Sequence, residues 1–234
     1  MQTIIEFRDV VKEYSMGDYK LRAVDNISFQ ITEGEFVVIL GPSGAGKSTV
    51  LNLLGGMDFA NSGEIIVGGN DIVGLSDNKL TDYRAENVGF VFQFYNLIPT
   101  LTALENVAIA KDIVKEPIEA KKVLEMVGME KHLNQFPSQL SGGEQQRVSI
   151  ARAVAKNPTV LLCDEPTGAL DSETGVVVLT MLQKMSHERG KTVVIVTHNA
   201  ALAEAADKVI YIKNGEIRKI ETNVLPKSIS EVNW

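Results

Sequence analysis

Between a continuous apolar run, Phe36 to Leu40, and a helical run, Val50 to Leu54, the chain reads GPSGAGKST from Gly41 to Thr49. Gly41, Gly44 and Gly46 leave little side-chain bulk there, so that successive backbone N–H groups of Ser43, Gly44, Ala45 and Gly46 can face phosphate oxygens. Lys47 supplies a point charge for the outer phosphates. Ser48 puts a hydroxyl where a Mg²⁺ ion bridging those phosphates needs an oxygen ligand, and the helix that begins there adds the positive end of its dipole. The spacing GxxxxGK[ST] is met in full, through Thr49. The competing reading is a glycine-rich strand-to-helix turn without a ligand, and the flanking strand and helix weigh against it. Alone, the stretch points to a nucleoside triphosphatase and no further.

The rest of the chain alternates in kind. Ile4 to Val10 and Ile27 to Ile31 follow the strand period, the second ending at a turn of Glu33 and Gly34, which predicts an antiparallel sheet near the N-terminus. Val160 to Cys163 and Thr192 to Val196 are further apolar runs, read as strands buried on both faces. Helical patterns separate them, and buried strands alternating with helices mean a parallel α/β sheet. Ile65 to Val67 and Val88 to Phe92 are read as strands, Asn78 to Glu86 as a polar helix, and Ala103 to Ala110 with Ile118 to Val127 as a compact helical insertion. Asn214-Gly215 between Lys208 to Lys213 and Glu216 to Ile220 predicts a hairpin with a type I′ turn. Thr222 to Trp234 gives no signal.

Composition sets limits on partners. At 234 residues with 44% hydrophobic and 23% charged content, one globular unit with a sizeable core is expected. The net charge of −7 argues against broad nucleic-acid binding, which draws its affinity from cationic side chains. Cys163 is the single cysteine and is read as core filler. Met1 to Val10 lacks the pattern of a signal peptide, and no apolar run approaches the ~20 residues that span a bilayer. A membrane role is therefore expected to come through a separate partner.

Three acid, base and anion-binding features accompany the cradle. Asp164 and Glu165 end a buried strand, at the sheet edge where ligands of open α/β folds bind; Asp164 suits Mg²⁺, and Glu165 suits accepting a proton from, or orienting, the water that attacks the γ-phosphorus. His198, beyond the next buried strand, suits a hydrogen bond to the γ-phosphate. Ser141, Gly142 and Gly143 open a helix whose first N–H groups are unpaired: this is either an ordinary capped helix or a second anion site serving the nucleotide of another copy. Tyr14, just after the first strand, is read either as packing or as a ring that stacks on a purine.

In this order the motifs resemble the ATPase subunits of ATP-binding-cassette (ABC) transporters over essentially the whole chain. They are VVKEY with Tyr14 as the adenine-stacking aromatic, GPSGAGKST, Gln93 of the Q-loop, LSGGEQQR as the signature, VLLCDEPT with its glutamate, GALD ending at Asp171 as the D-loop, and Thr197-His198 as the switch. The resemblance implies a P-loop NTPase fold: a RecA-like parallel core, an N-terminal antiparallel β subdomain and a small α-helical subdomain at about 94–157, in one domain over 1–234. It implies ATP and Mg²⁺ as cofactors, with Ser48, Gln93 and Asp164 at the metal, and Glu165, Gln93 and His198 serving hydrolysis. It further implies an ATP-dependent homodimer in which Ser141 to Gly143 and Asp171 of one copy meet the nucleotide of the other. Two departures, Glu144 for the commoner glutamine and Asn199 for aspartate after the histidine, remove no phosphate or metal contact.

FVFQFYNLIPTLTALENV and DEPTGALDSETG are similar to the lipoprotein-release, macrolide-export and antimicrobial-peptide-export subfamily. That likeness implies a membrane permease with a large extracytoplasmic domain, working by mechanotransmission, and a cytoplasmic, peripheral location for this subunit. An efflux or extraction ATPase is the first reading. A module relaying ATP-driven force to a cell-wall hydrolase or sensor, without transport, is the second. Soluble repair and translation ATPases are set aside, because this chain has neither a long coiled coil nor a second cassette.

Overall fold

The computed structural model describes residues 2–17 and 19–233. Its elements run β1 (Thr3–Met16), β2 (Tyr19–Thr32), β3 (Phe36–Leu40), α1 (Lys47–Leu54), β4 (Ser62–Val67), β5 (Asn70–Asp71), α2 (Asp77–Asn87), β6 (Val88–Val91), α3 (Ala103–Ala108), α4 (Ala120–Met126), α5 (Gly142–Ala155), β7 (Val160–Asp164), α6 (Ser172–His187), β8 (Thr192–Thr197), β9 (Lys208–Lys213) and β10 (Glu216–Thr222). A four-stranded antiparallel sheet has the order β2-β1-β4-β5, and a six-stranded sheet has the order β10-β9-β3-β8-β7-β6. In the larger sheet β9, β3, β8, β7 and β6 are parallel, and β10 closes one edge antiparallel to β9.

β3 shows why the larger sheet is central. Phe36, Val38 and Leu40 pack into one core with α5 and α6, while Val37 and Ile39 point the other way into a second core with α1 and the antiparallel sheet. Every residue of β3 is buried, as a strand covered on both faces requires. The alternation that would normally mark a strand is therefore hidden in an unbroken apolar run.

The N-terminal strands are far longer than the alternation alone predicts. Asp9 takes a left-handed φ of 47° and the β1–β2 register shifts between Phe7 and Val10, again between Val10 and Lys12, and again between Lys12 and Glu13. Each shift moves the inward-facing set by a residue, so the period-2 pattern loses phase although the strand continues. Tyr14 consequently lies inside β1, paired with Leu21, and not in a loop after it.

The expected hairpin is present: Asn214 and Gly215 have φ of 53° and 78°, the positive pair that a type I′ turn needs. The C-terminal segment, silent in the sequence, docks. Ile229 and Val232 are buried, and the Gln183 side chain of α6 donates to the carbonyl of Lys227. Among the described residues no helix is long and apolar enough to cross a membrane.

Candidate active site

Parallel pairing brings three strand ends to one edge. Leu40 of β3 is in register with Thr197 of β8, and Asp164 of β7 with Val196, so the glycine loop, Asp164-Glu165 and Thr197-His198 emerge side by side. They open into a cleft of 1010 Å³ whose lining includes residues 43–49, Tyr14, Gln93, Asp164, Glu165 and His198.

The loop is shaped by backbones that crowd it. A Cβ on Gly46, where φ is 101°, would lie 2.2 Å from the carbonyl oxygen of Ala23 in β2. Gly215 also locks the loop, donating its amide to Ala45 O at 2.9 Å and accepting from the Asp25 amide at 2.8 Å. Gly41 is glycine for a different reason than phosphate approach: a Cβ there would sit 2.1 Å from the Ile212 carbonyl oxygen, and Gly41 does not line the cleft. Among the described residues no backbone acceptor takes the amides of Gly44, Gly46, Lys47 or Ser48, which leaves donors for an anion. Lys47 is only 7% exposed, its ammonium donating to the Pro42 carbonyl at 3.0 Å.

Ser48 and Asp164 meet across the cleft floor, the hydroxyl donating to Oδ1 at 3.3 Å. Burial pushes the Asp164 carboxyl up, against the Ser48 hydrogen bond and the Lys47 charge, with Glu165 adding to the rise. A desolvated carboxylate beside a hydroxyl fits a hard cation. Among the described residues no three acidic, histidine or cysteine side chains are arranged to hold a metal ion by themselves, and Mg²⁺, which takes one or two protein ligands and completes its shell with water and phosphate, asks for no such set. Gln93 reaches into the same cleft past Gly168, where a Cβ would come within 2.9 Å of its amide nitrogen.

Glu165 has both carboxylate oxygens engaged: Thr197 Oγ1 donates to Oε2 at 2.9 Å, and His198 Nδ1 lies 2.8 Å from Oε1. Its backbone is left-handed at φ 45°, an unfavourable conformation for a non-glycine residue, and is held by a hydrogen bond that its amide donates to Val196 O at 2.9 Å. His198 thus faces the acid as well as the cleft, a pairing the sequence did not suggest. Tyr14 also lines the cleft, its hydroxyl donating to Asp58 Oδ2 at 2.6 Å. Leu21, Arg22 and Ala23 line it too, and sequence reasoning missed them, because they reach the cleft through the β1–β2 register that sets Leu21 opposite Tyr14.

Ser141, Gly142, Gly143 and Asp171 are not part of this cleft. Ser141 caps α5 in a reciprocal box, its hydroxyl accepting from the Glu144 amide at 3.3 Å while Glu144 Oε2 accepts the Ser141 amide at 2.7 Å. Asp171 caps α6, accepting the Thr174 amide at 2.9 Å. A Cβ on Gly143 would fall 2.1 Å from Thr174 Cγ2, so close packing of α5 on α6 also demands that glycine.

A glycine loop feeding a helix, with an acid pair at the end of β7, a parallel strand of the same sheet, defines a P-loop nucleoside triphosphatase. The chain belongs to the ABC transporter family, whose model matches residues 24–168. It is 45% identical over 229 residues to the uncharacterized ABC transporter ATP-binding protein MJ0796 of Methanocaldococcus jannaschii, covering 93% of this chain and 97% of that one. It is 44% identical to the macrolide export ATP-binding/permease protein MacB of Pasteurella multocida, across 99% of this chain but 37% of that protein. Against a putative ABC transporter ATP-binding protein of Mycoplasma genitalium, also 44% identical, the chain spans about half, 51%, of the relative's length. The dimeric post-hydrolysis structure of the MJ0796 cassette bound to ADP and Pi superposes with a TM-score of 0.85 at 43% identity, covering 94% of this chain and 98% of that one. The protein is accordingly an ABC ATPase.

Proposed function

We propose that the chain, as one ATPase domain over 1–234 with its helical part at about 94–157, binds Mg²⁺-ATP in this cleft and powers a separate membrane subunit for efflux or extraction of a substrate. The observation that carries the reading is the division of the motifs: the cradle, Gln93, Asp164, Glu165 and His198 share one cleft, while Ser141 to Gly143 and Asp171 stand outside it. Half a site on each of two surfaces is what a two-fold pair of copies with isologous contacts completes twice.

In this reading the free amides of the loop and the Lys47 ammonium bind the phosphates, and Ser48, Asp164 and Gln93 hold Mg²⁺. The metal, when bound, neutralises charge developing on the phosphates. Glu165 orients the attacking water and takes its proton, and His198 and Thr197 keep the carboxylate aimed. Gly142 and Gly143 of the second copy approach the γ-phosphate, with the Ser141 hydroxyl beside them. The similarity to the macrolide export ATP-binding/permease protein supports a permease partner, and with such a partner this subunit would sit peripherally at the membrane.

The test mixes two variants. Lys47→Ala weakens nucleotide binding, because it removes the fixed cation from converging charges. Gly142→Asp binds ATP as a monomer but sets a carboxylate against the partner's phosphate and blocks closure. In their heterodimer one composite site carries both lesions and the other neither, so ATP-driven heterodimer formation should return. Heterodimers that fail to close with ATP would overturn the shared-site reading.

A further inference from the structure

Tyr14 is more tightly held than a ring that merely fills space. Its hydroxyl donates to Asp58 Oδ2 at 2.6 Å, and Asp58 Oδ1 is in turn fixed by the Lys12 ammonium at 2.5 Å and the Phe59 amide at 2.7 Å. Lys12 is itself 9% exposed and anchored, donating also to the Phe59 carbonyl at 2.8 Å. Its ammonium lies 4.8 Å from the centroid of the Tyr14 ring. One face of the ring is therefore turned to a buried cation, while the residue contributes to the wall of the nucleotide cleft.

We propose that Asp58 and Lys12 are positioning residues for nucleotide binding, fixing Tyr14 as a one-sided platform on which the base of the nucleotide stacks. This rests on the reading that Tyr14 meets the base. A tyrosine side chain that must adopt one orientation to stack loses rotational freedom on binding, and a ring already held by its hydroxyl has lost that freedom beforehand. Lys12 excludes stacking from the back and leaves one face for a base. Burial pushes the Asp58 carboxyl up, but its hydrogen bonds from Lys12, Tyr14 and the Phe59 amide outweigh this and hold it below the usual range, so it stays an ionised acceptor at neutral pH.

The location adds a second consequence. α1 begins at Lys47, inside the phosphate cradle, and ends at Leu54, with Asp58 in the turn beyond it, where the Met57 amide bonds back to Asn52 O at 2.8 Å. The cradle and the anchor of the base platform thus hang on opposite ends of one short rigid helix. That spacing favours a ligand with a base at a fixed reach from its phosphates. Stacking reads ring area and not base edges, so the device prefers a purine nucleotide without separating adenine from guanine.

The experiment titrates the full chain with Mg²⁺-ATP and, separately, with inorganic tripolyphosphate, which has the phosphates and no base. Tyr14→Ala should weaken ATP about 10-fold and leave tripolyphosphate unchanged. Asp58→Asn and Tyr14→Phe should each weaken ATP about 3-fold, again sparing tripolyphosphate, since each removes the charged hydrogen bond but keeps the ring. The double variant should be no worse than either single one, because both lose the same bond. Lys12→Met should also cost ATP selectively. If Tyr14→Ala shows the selective loss while Asp58→Asn, Tyr14→Phe and Lys12→Met bind ATP as the wild type does, the platform stands and the positioning role is overturned. Equal loss of both ligands in Asp58→Asn would reduce Asp58 to general structural support and overturn it likewise. Unchanged ATP binding in Tyr14→Ala would remove the base-site reading and the inference with it.

Discussion

His198 Nδ1 lies 2.8 Å from Oε1 of Glu165, and this contact, with the Thr197 hydroxyl on Oε2, fixes the direction of a carboxylate whose own backbone is strained. A group so held is prepared to meet a water without reorganising. Its loss should therefore be felt in turnover before binding.

Glu165→Gln keeps the shape and an oxygen for Thr197 but cannot accept a proton. Steady phosphate release should fall about 100-fold or more, with ATP affinity of the monomer unchanged and an ATP-trapped dimer accumulating. Phosphate release and nucleotide titration check this together; hydrolysis at the normal rate would remove Glu165 from the mechanism.

Glu144 presents a charge at the start of α5, its Oε2 taking both the amide of Ser141 at 2.7 Å and its hydroxyl at 2.9 Å. The Ser141 backbone hydrogen bond holds the Glu144 carboxyl below its ordinary range against a rise from burial, helped by the Ser141 hydroxyl and the charges of His132 and Arg147. In the proposed dimer this anion stands beside the incoming γ-phosphate. Glu144→Gln retains the cap and removes the repulsion, so ATP-driven dimerisation in a Glu165→Gln background should tighten several-fold, about one kcal/mol. The pH response has a definite sign. A depressed carboxyl pKa stabilises the fold above the ordinary glutamate range and loses that contribution as pH falls through the folded value. Acid melts of the two proteins should therefore converge as the cap is titrated away.

Charge inserted after Gln93 should separate two roles of that segment. Leu97 packs against the core, whereas Phe94 is 72% and Ile98 40% exposed. Phe94→Glu and Ile98→Glu should leave the free subunit folded and hydrolysing ATP but weaken copurification with a membrane partner. Leu97→Glu should instead lower the melting temperature. Normal assembly by both exposed-site variants would place the coupling surface elsewhere.

Lys156, at the end of α5, donates to the carbonyls of Arg84 at 2.6 Å and Val88 at 2.7 Å. Burial, with the nearby Arg84 charge, brings its pKa down to about 8. Because the folded value lies below the unfolded one, the unfolded chain holds the extra proton between about 8 and the ordinary lysine range, and stability from this group rises with pH across that window. Melting curves between those limits should show a smaller rise in Lys156→Met than in the wild type.

What could be read from residues alone was what local spacing encodes. The glycine loop, the acids at the end of β7 and the turn at Asn214 each depend on neighbours in the chain, and the structure has each at the strand end or turn that the spacing predicts. What escaped depends on distant partners. The reach of β1 was hidden because bulges near Asp9 shift the phase of alternation, and the Tyr14–Asp58 pair joins residues on β1 and beyond α1 that no motif links. Gly41 matched the phosphate pattern, yet its lack of a side chain answers to the Ile212 carbonyl. The docking of Ile229 and Val232 was invisible because two apolar residues in a polar tail have no period.

Gly215 closes on Ala45 and Asp25, two segments made some 170 residues or more earlier in synthesis. The loop that greets the phosphates therefore lacks one of its walls until the last hairpin has left the ribosome. A nascent chain halted before β10 should bind nucleotide weakly even though every residue of the phosphate motif has long emerged. Competence to bind nucleotide should in this way be a late event in the life of the polypeptide.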